Sequence, residues 1–167
     1  MRDNKLHGAY LFISRVMLLI VFISLLGGAT LVRGQVEPSK KDRCPVCGMY
    51  VDQYRNWLAS IVFKEGRTVF FDGPKDMFRF YLNMSKYEKS ATPEDITEIY
   101  VTDYYSTKLI DARKAFFVMG SDVRGPMGKE LVPIGDKVQA ETFLKDHGGQ
   151  RILEFDQVTN AVFPELK

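Results

Sequence analysis

Along most of the chain, apolar residues come in short runs broken by glycine, proline and charge, a pattern of short elements joined by turns. Trp57-Leu58-Ala59-Ser60-Ile61-Val62-Phe63 is rich in aromatic and β-branched residues and predicts a strand. Lys64-Glu65-Gly66-Arg67 reads as a hairpin turn with Gly66 free to take positive φ, and Thr68-Val69-Phe70-Phe71 predicts the returning strand. Asp72-Gly73-Pro74-Lys75-Asp76 is a strand-to-helix junction with proline in the first helical turn. Met77, Phe78, Tyr81 and Leu82 recur at i, i+1, i+4 and i+5, which predicts a helix that ends at Asn83-Met84-Ser85. Lys86 to Asp95 is polar and reads as a loop, and Ile96 to Tyr104 alternates towards another strand.

The same order then recurs. Ala115 to Met119 predicts a strand, Gly120 to Glu130 a longer glycine-rich connection, and Leu131 to Ile134 a short strand placed at an edge because Pro133 lacks a donor. Asp136 to Asp146 predicts a helix closed by His147-Gly148-Gly149, and Arg151 to Phe155 a final strand. Shifted by 62 residues, Gly73 aligns with Gly135, Lys75 with Lys137, Tyr81 with Phe143 and Leu82 with Leu144. The expectation is an α+β fold of two related ββαβ lobes with mainly antiparallel sheets, the first over residues 44–106 and the second over 107–167.

Residues 1–34 follow a different pattern. Arg2, Lys5 and Arg15 precede the apolar run Val16 to Leu26, and small residues follow it, as in an export signal. The run is shorter than the ~20 residues that span a bilayer. Extended to Val32 it reaches 17 residues, so an uncleaved anchor over 16–32 is the other reading. No cysteine lies just after the run to carry a lipid, Cys44 being too far along, and residues 35–43 read as a polar linker. Either reading places the working domain outside the cytoplasm, in the periplasm or on the outer face of the cytoplasmic membrane. The formal net charge of +2 is too small for a nucleic-acid surface.

Candidate chemistry concentrates in Cys44-Pro45-Val46-Cys47-Gly48-Met49, which holds both cysteines and a methionine. Soft sulfur donors select Cu(I), zinc or iron–sulfur, and the thioether argues against the last two. If Cys47 to Met49 runs extended, the two side chains point the same way and their sulfurs can meet one ion. Cys44 either joins them or stands aside. A structural zinc site needs four ligands, and no second cysteine pair exists. A thioredoxin-type redox pair belongs at the start of a helix, whereas Tyr50 to Tyr54 has no helical period. A plain disulfide is the remaining alternative.

Two further donors lie far along the chain. Met127 sits between breakers in Gly125-Pro126-Met127-Gly128, either displayed as a second thioether or packed on aromatics. His147 follows Ala140, Phe143 and Leu144 at helical spacing, and either caps the helix or ligates a metal. Asp72 and Asp76 read as junction and cap residues. Asp103-Tyr104-Tyr105-Ser106 and Asp111-Ala112-Arg113-Lys114 flank a loop that could bind a partner or hold the lobes together. No nucleophile–base pattern, phosphate loop or dinucleotide fingerprint occurs.

Six stretches together resemble the NosL family of exported copper chaperones. They are Cys44 to Met49, Val69 to Asp76, Tyr100 to Tyr104, Asp111 to Val118, Gly125 to Pro133, and His147-Gly148-Gly149. The resemblance implies two homologous ββαβ lobes and one Cu(I) per chain, held by a Cys–x–Met pair with help from elsewhere. Cys47 and Met49 occupy that pair. Met127 falls in the family's Met-Gly motif and His147 in its His-Gly-Gly motif. The family can lack the first cysteine, here Cys44. The implied function is a metallochaperone, not an enzyme, that delivers copper to nitrous oxide reductase or a related exported cuproenzyme, with a membrane transporter as a copper supplier. Many members are lipoproteins, and this chain departs from them in having no lipidation cysteine. The alternatives are a thiol–disulfide oxidoreductase using Cys44 and Cys47, and an interaction module without metal.

Overall fold

The computed structural model describes residues 37–166, which belong to one compact unit, Val36–Lys167. The expected signal or anchor over 1–34 lies outside the described residues. Among the described residues, no helix is long and apolar enough to cross a membrane.

Two antiparallel sheets carry the fold. In the first, β1 (Ala59–Phe63) is flanked by β2 (Thr68–Phe71) and β3 (Ile96–Thr102), with β4 (Leu109–Asp111) beyond β3. Helix α1 (Pro74–Leu82) and the short α2 (Met84–Tyr87) connect β2 to β3. In the second sheet, β5 (Phe116–Gly125) lies between β6 (Gly128–Ile134) and β7 (Arg151–Glu154), and α3 (Lys137–Asp146) connects β6 to β7. Each unit therefore reads strand, strand, helix, strand, with its first strand in the middle of the sheet. The α+β fold with antiparallel pairing agrees with the sequence pattern. Pro133 lies on an edge strand, where its missing N–H costs no ladder bond.

Period-two alternation gives the second sheet two buried faces. Phe117 and Met119 face a core shared with the first sheet, whereas Phe116 and Val118 face α3 through Ala140 and Phe143. Helix α1 lies in the shared core: Phe78 meets Phe117 edge-on at 4.9 Å and lies 5.0 Å from Phe155. Asp103, just past β3, ties the units together by accepting the Gly135 N–H at 2.7 Å, while Tyr104 N–H donates to the Pro133 carbonyl at 2.9 Å.

Three local expectations change. The connection expected over Gly120 to Glu130 is strand instead, because β5 continues to Gly125 and turns tightly into β6. Gly120, at φ 81, absorbs the irregularity in register that the polar residues after it concealed. Residues Val51–Trp57, expected to lead directly into a strand, form 3-10 turns before β1 begins. Finally, α1 does not simply end at Asn83: the chain makes one more helical turn, α2, with Met84 buried.

Candidate metal centre

The cysteine segment folds as a tight loop. Arg43 bridges Tyr50, Cys44 N–H donates to the Met49 carbonyl at 2.9 Å, and Gly48 N–H donates to the Cys44 carbonyl at 2.8 Å. Gly48 takes φ 80, a left-handed conformation that suits glycine because it lacks a Cβ. Cys47 to Met49 is therefore not extended, and the same-side argument from strand alternation does not apply. What the loop does is turn both thiols towards the start of α1.

There they meet two carboxylates. The Cys47 thiol donates to Asp72 Oδ1 at 3.2 Å, and the Cys44 thiol donates to Asp76 Oδ2 at 3.6 Å. One potential ligand atom from each of the four residues lies within 4.8 Å of the others, a spacing that could hold a metal ion. Cys44, Asp72 and Asp76 are at most 2% exposed, while Cys47 is half-buried. Both cysteines are free thiols. Asp76 also accepts from Arg79 at 3.0 Å through its other oxygen. Asp72 Oδ2 is buried with no hydrogen-bond partner among the described residues, an orphaned acceptor beside the thiols.

This surrounding acts on the protons. Burial pushes the Cys47 thiol up to about 12, with Asp72 and Asp76 adding to the rise against the Met49 and Cys44 groups that oppose it. Burial, reinforced by the Asp72 carboxylate, pushes Cys44 up further still. The resting site therefore holds neutral thiols, and a metal that takes them as thiolates must displace their protons.

Asp72 and Asp76 were legible only as junction residues, since they lie 25 and 32 positions from their thiol partners. Their placement on either side of the Gly73-Pro74 helix start was the available signal, because it gathers two acids at one strand–helix junction. Pairing that turn with the cysteine loop needed the tertiary fold.

The other predicted donors are placed less directly. Met49 closes the cysteine loop through its carbonyl and is half-buried. Met127 lies in the turn between β5 and β6, 44% exposed, and its carbonyl accepts from Lys75 Nζ at 2.8 Å, so its backbone is fixed to the start of α1. His147 caps the C-terminus of α3, stacks on Phe143 at 4.2 Å between ring centroids, and brings Nδ1 to 3.0 Å from Asp122 Oδ1. It packs with the cluster faced by Val118, whereas Cys44 packs in the core faced by Phe117. His147 is not among the four residues grouped at the thiols.

Comparison with known proteins converges on one family. The model of the NosL family matches residues 35–163. The chain is 27% identical over 145 residues to the copper-binding lipoprotein NosL of Stutzerimonas stutzeri, which covers 80% of this chain and 72% of that protein. Its fold is similar to the crystal structure of the copper chaperone NosL from Shewanella denitrificans, with a TM-score of 0.66 and 25% identity over 77% of this chain and 98% of that one.

Proposed function

The chain belongs to the NosL family, and on that premise we propose that it is an exported copper chaperone carrying one Cu(I) to nitrous oxide reductase or a related cuproenzyme. The observation that carries this reading is the pair of free thiols brought together at the start of α1, one buried and one half-buried. Soft sulfur suits Cu(I). Cys47 and Met49 are the primary donors of the proposal, Met127 supplies a second thioether, and Cys44 supports from below.

Loading exchanges a sulfur–hydrogen bond for a sulfur–copper bond and releases a proton. Delivery reverses this when a ligand of the acceptor enters before Cys47 leaves. The half-buried Cys47, not the enclosed Cys44, is the sulfur an acceptor can reach. His147 packs on Phe143, in the other core from Cys44, and unchanged affinity in His147→Ala would remove it from the ligand set. A membrane transporter that supplies copper, and a location outside the cytoplasm, follow from the same reading.

The oxidoreductase alternative fits the thiols poorly. Such enzymes work through a cysteine whose pKa is lowered, so that thiolate is present to attack a disulfide. Here burial and two carboxylates act in the opposite sense.

A Cu(I) competition titration of the reduced protein against a chromophoric chelator tests the function. One equivalent should bind, and the loaded protein should pass copper to apo nitrous oxide reductase faster than free chelated copper does. Failure to bind Cu(I) would end the chaperone reading, and measurable disulfide exchange by the copper-free protein would favour the alternative.

A further inference from the structure

Lys75 and Glu130 are ionisable residues in places where charge is costly: they are 2% and 3% exposed, and burial pushes the Glu130 carboxyl up to about 8. Neither belongs to the thiol–carboxylate group, yet together they join two segments that carry it and Met127. Lys75 is the second residue of α1 and lies between Asp72 and Asp76 in sequence. Its ammonium donates to the Met127 carbonyl at 2.8 Å and to the Lys129 carbonyl at 2.5 Å. In return, Glu130 Oε1 accepts the Lys75 N–H at 2.6 Å and the Leu131 N–H at 2.9 Å. Each segment thus binds the other's main chain with its own side chain.

Two glycines make room for this reciprocal clamp. A Cβ on Gly73 would lie 2.6 Å from Glu130 Oε2, and one on Gly125 would lie 3.0 Å from the Glu130 side chain. Gly73 has φ −169, an extended conformation open to any residue, so what excludes a side chain there is the Glu130 carboxylate.

An apolar pair of similar volume would fill this space with no desolvation penalty. What a lysine and a glutamate add is direction, because hydrogen bonds given by the ammonium and accepted by the carboxyl group hold backbone atoms at fixed positions. The atoms held here are the main chain of Met127 and that of the first turn of α1. We propose that Lys75 and Glu130 are positioning residues for copper: they fix the Met127 turn against the start of α1, so that the thioether is presented to the same ion as the thiols. This rests on the reading of Met127 as a copper donor.

The test is a set of Cu(I) competition titrations on the full-length protein. Lys75→Met keeps the length and apolar stem but removes the ammonium. It should weaken Cu(I) binding by about tenfold, as loss of an outer-sphere support does. Because it acts through Met127, the Lys75→Met/Met127→Ala double variant should bind no more weakly than Met127→Ala alone. Combined with Met49→Ala, its effect should multiply. X-ray absorption of the copper-loaded Lys75→Met protein should show one sulfur fewer around copper, as in Met127→Ala.

Gly73→Ala provides a second approach should Lys75→Met fail to fold. It pushes on the Glu130 carboxylate without removing a charge, and its effect should also vanish in the Met127→Ala background. Wild-type affinity in folded Lys75→Met or Gly73→Ala protein would overturn the proposal, as would effects that multiply with Met127→Ala. Cys47→Ser separates the two levels of failure. If it abolishes binding while Met127→Ala changes nothing, the clamp proposal falls and the copper site stands. If Cys47→Ser binds like wild type, the copper reading itself falls.

Discussion

At the first strand–helix junction, between β2 and α1, every residue from Phe71 to Phe78 is buried, whereas at the second, between β6 and α3, Gly135 to Gln139 are all exposed. The two junctions share their topology and even a glycine and a lysine at matching positions. Lys75 is enclosed and donates to two carbonyls of the neighbouring turn; Lys137 is exposed. Asp72 and Asp76 receive the two thiols, while the Asp136 side chain accepts the Gln139 N–H at 2.9 Å, as an N-cap does. The difference lies in what covers each junction. The cysteine loop and the turn around Met127 close over the first, and the burial they create is the main effect that holds the thiol protons, with the carboxylates adding to it. A recurring ββαβ unit supplies two equivalent frames, and covering one of them makes a site.

The largest effect that could break this comparison is at Cys47. Cys47→Ser should lower Cu(I) affinity by more than about a hundredfold, beyond the range of outer-sphere changes, because serine supplies neither softness nor a ready anion. Chelator competition measures it, and a small loss would mean that the covered junction is not the copper site.

Next in size is the dependence on pH. With Cys47 pushed up to about 12, copper binding must displace a proton throughout the neutral and alkaline range. Affinity should rise by about tenfold per pH unit for each proton released. It should show no plateau near the ordinary thiol value of about 8.5. Titrations between neutrality and moderately alkaline pH decide this: levelling off near the ordinary value would show that burial and carboxylates do not hold the proton as described.

A smaller effect concerns the link between the units. Burial alone would raise the Asp103 carboxyl, but the N–H groups of Ser106 and Gly135 and the Ser106 hydroxyl outweigh it and hold it below the usual range. The folded state then binds fewer protons than the unfolded chain. The stabilisation is complete above the unfolded value of about 3.9 and is lost as pH falls through the lowered folded value. Asp103→Asn should cost about 1.5–3 kcal/mol at neutral pH, the range for hydrogen bonds to a charged group. It should also lack this acid-side loss, as chemical denaturation at several pH values would reveal.

The smallest effects belong to the exposed junction. Asp136→Ala should cost about 1 kcal/mol through its lost cap, and Lys137→Met should stay within about 0.5 kcal/mol of wild type. Neither should alter Cu(I) affinity. Denaturation melts and copper titrations of both variants check this, and a copper effect at Asp136 would erase the contrast between the junctions.

The amino-acid sequence by itself determined the order of elements and the kind of chemistry. Strands were legible in runs such as Ala59 to Phe63 because β-branched and aromatic side chains suit a pleated, buried surface. The soft donors were legible because Cys44, Cys47 and Met49 lie within one loop, where proximity along the chain guarantees proximity in space. The tertiary structure decided the rest. Asp72, Asp76, Lys75 and Glu130 have ionisable side chains, and these in a sequence read as surface. Only folding shows that the cysteine loop lies on α1 and that the β5–β6 turn grips its first turn, because contacts between residues 25 to 55 positions apart leave no local pattern. The same reason separates His147 from the thiols: helical spacing placed it on the apolar face of α3, but the alternation of β5 put that face against a different core.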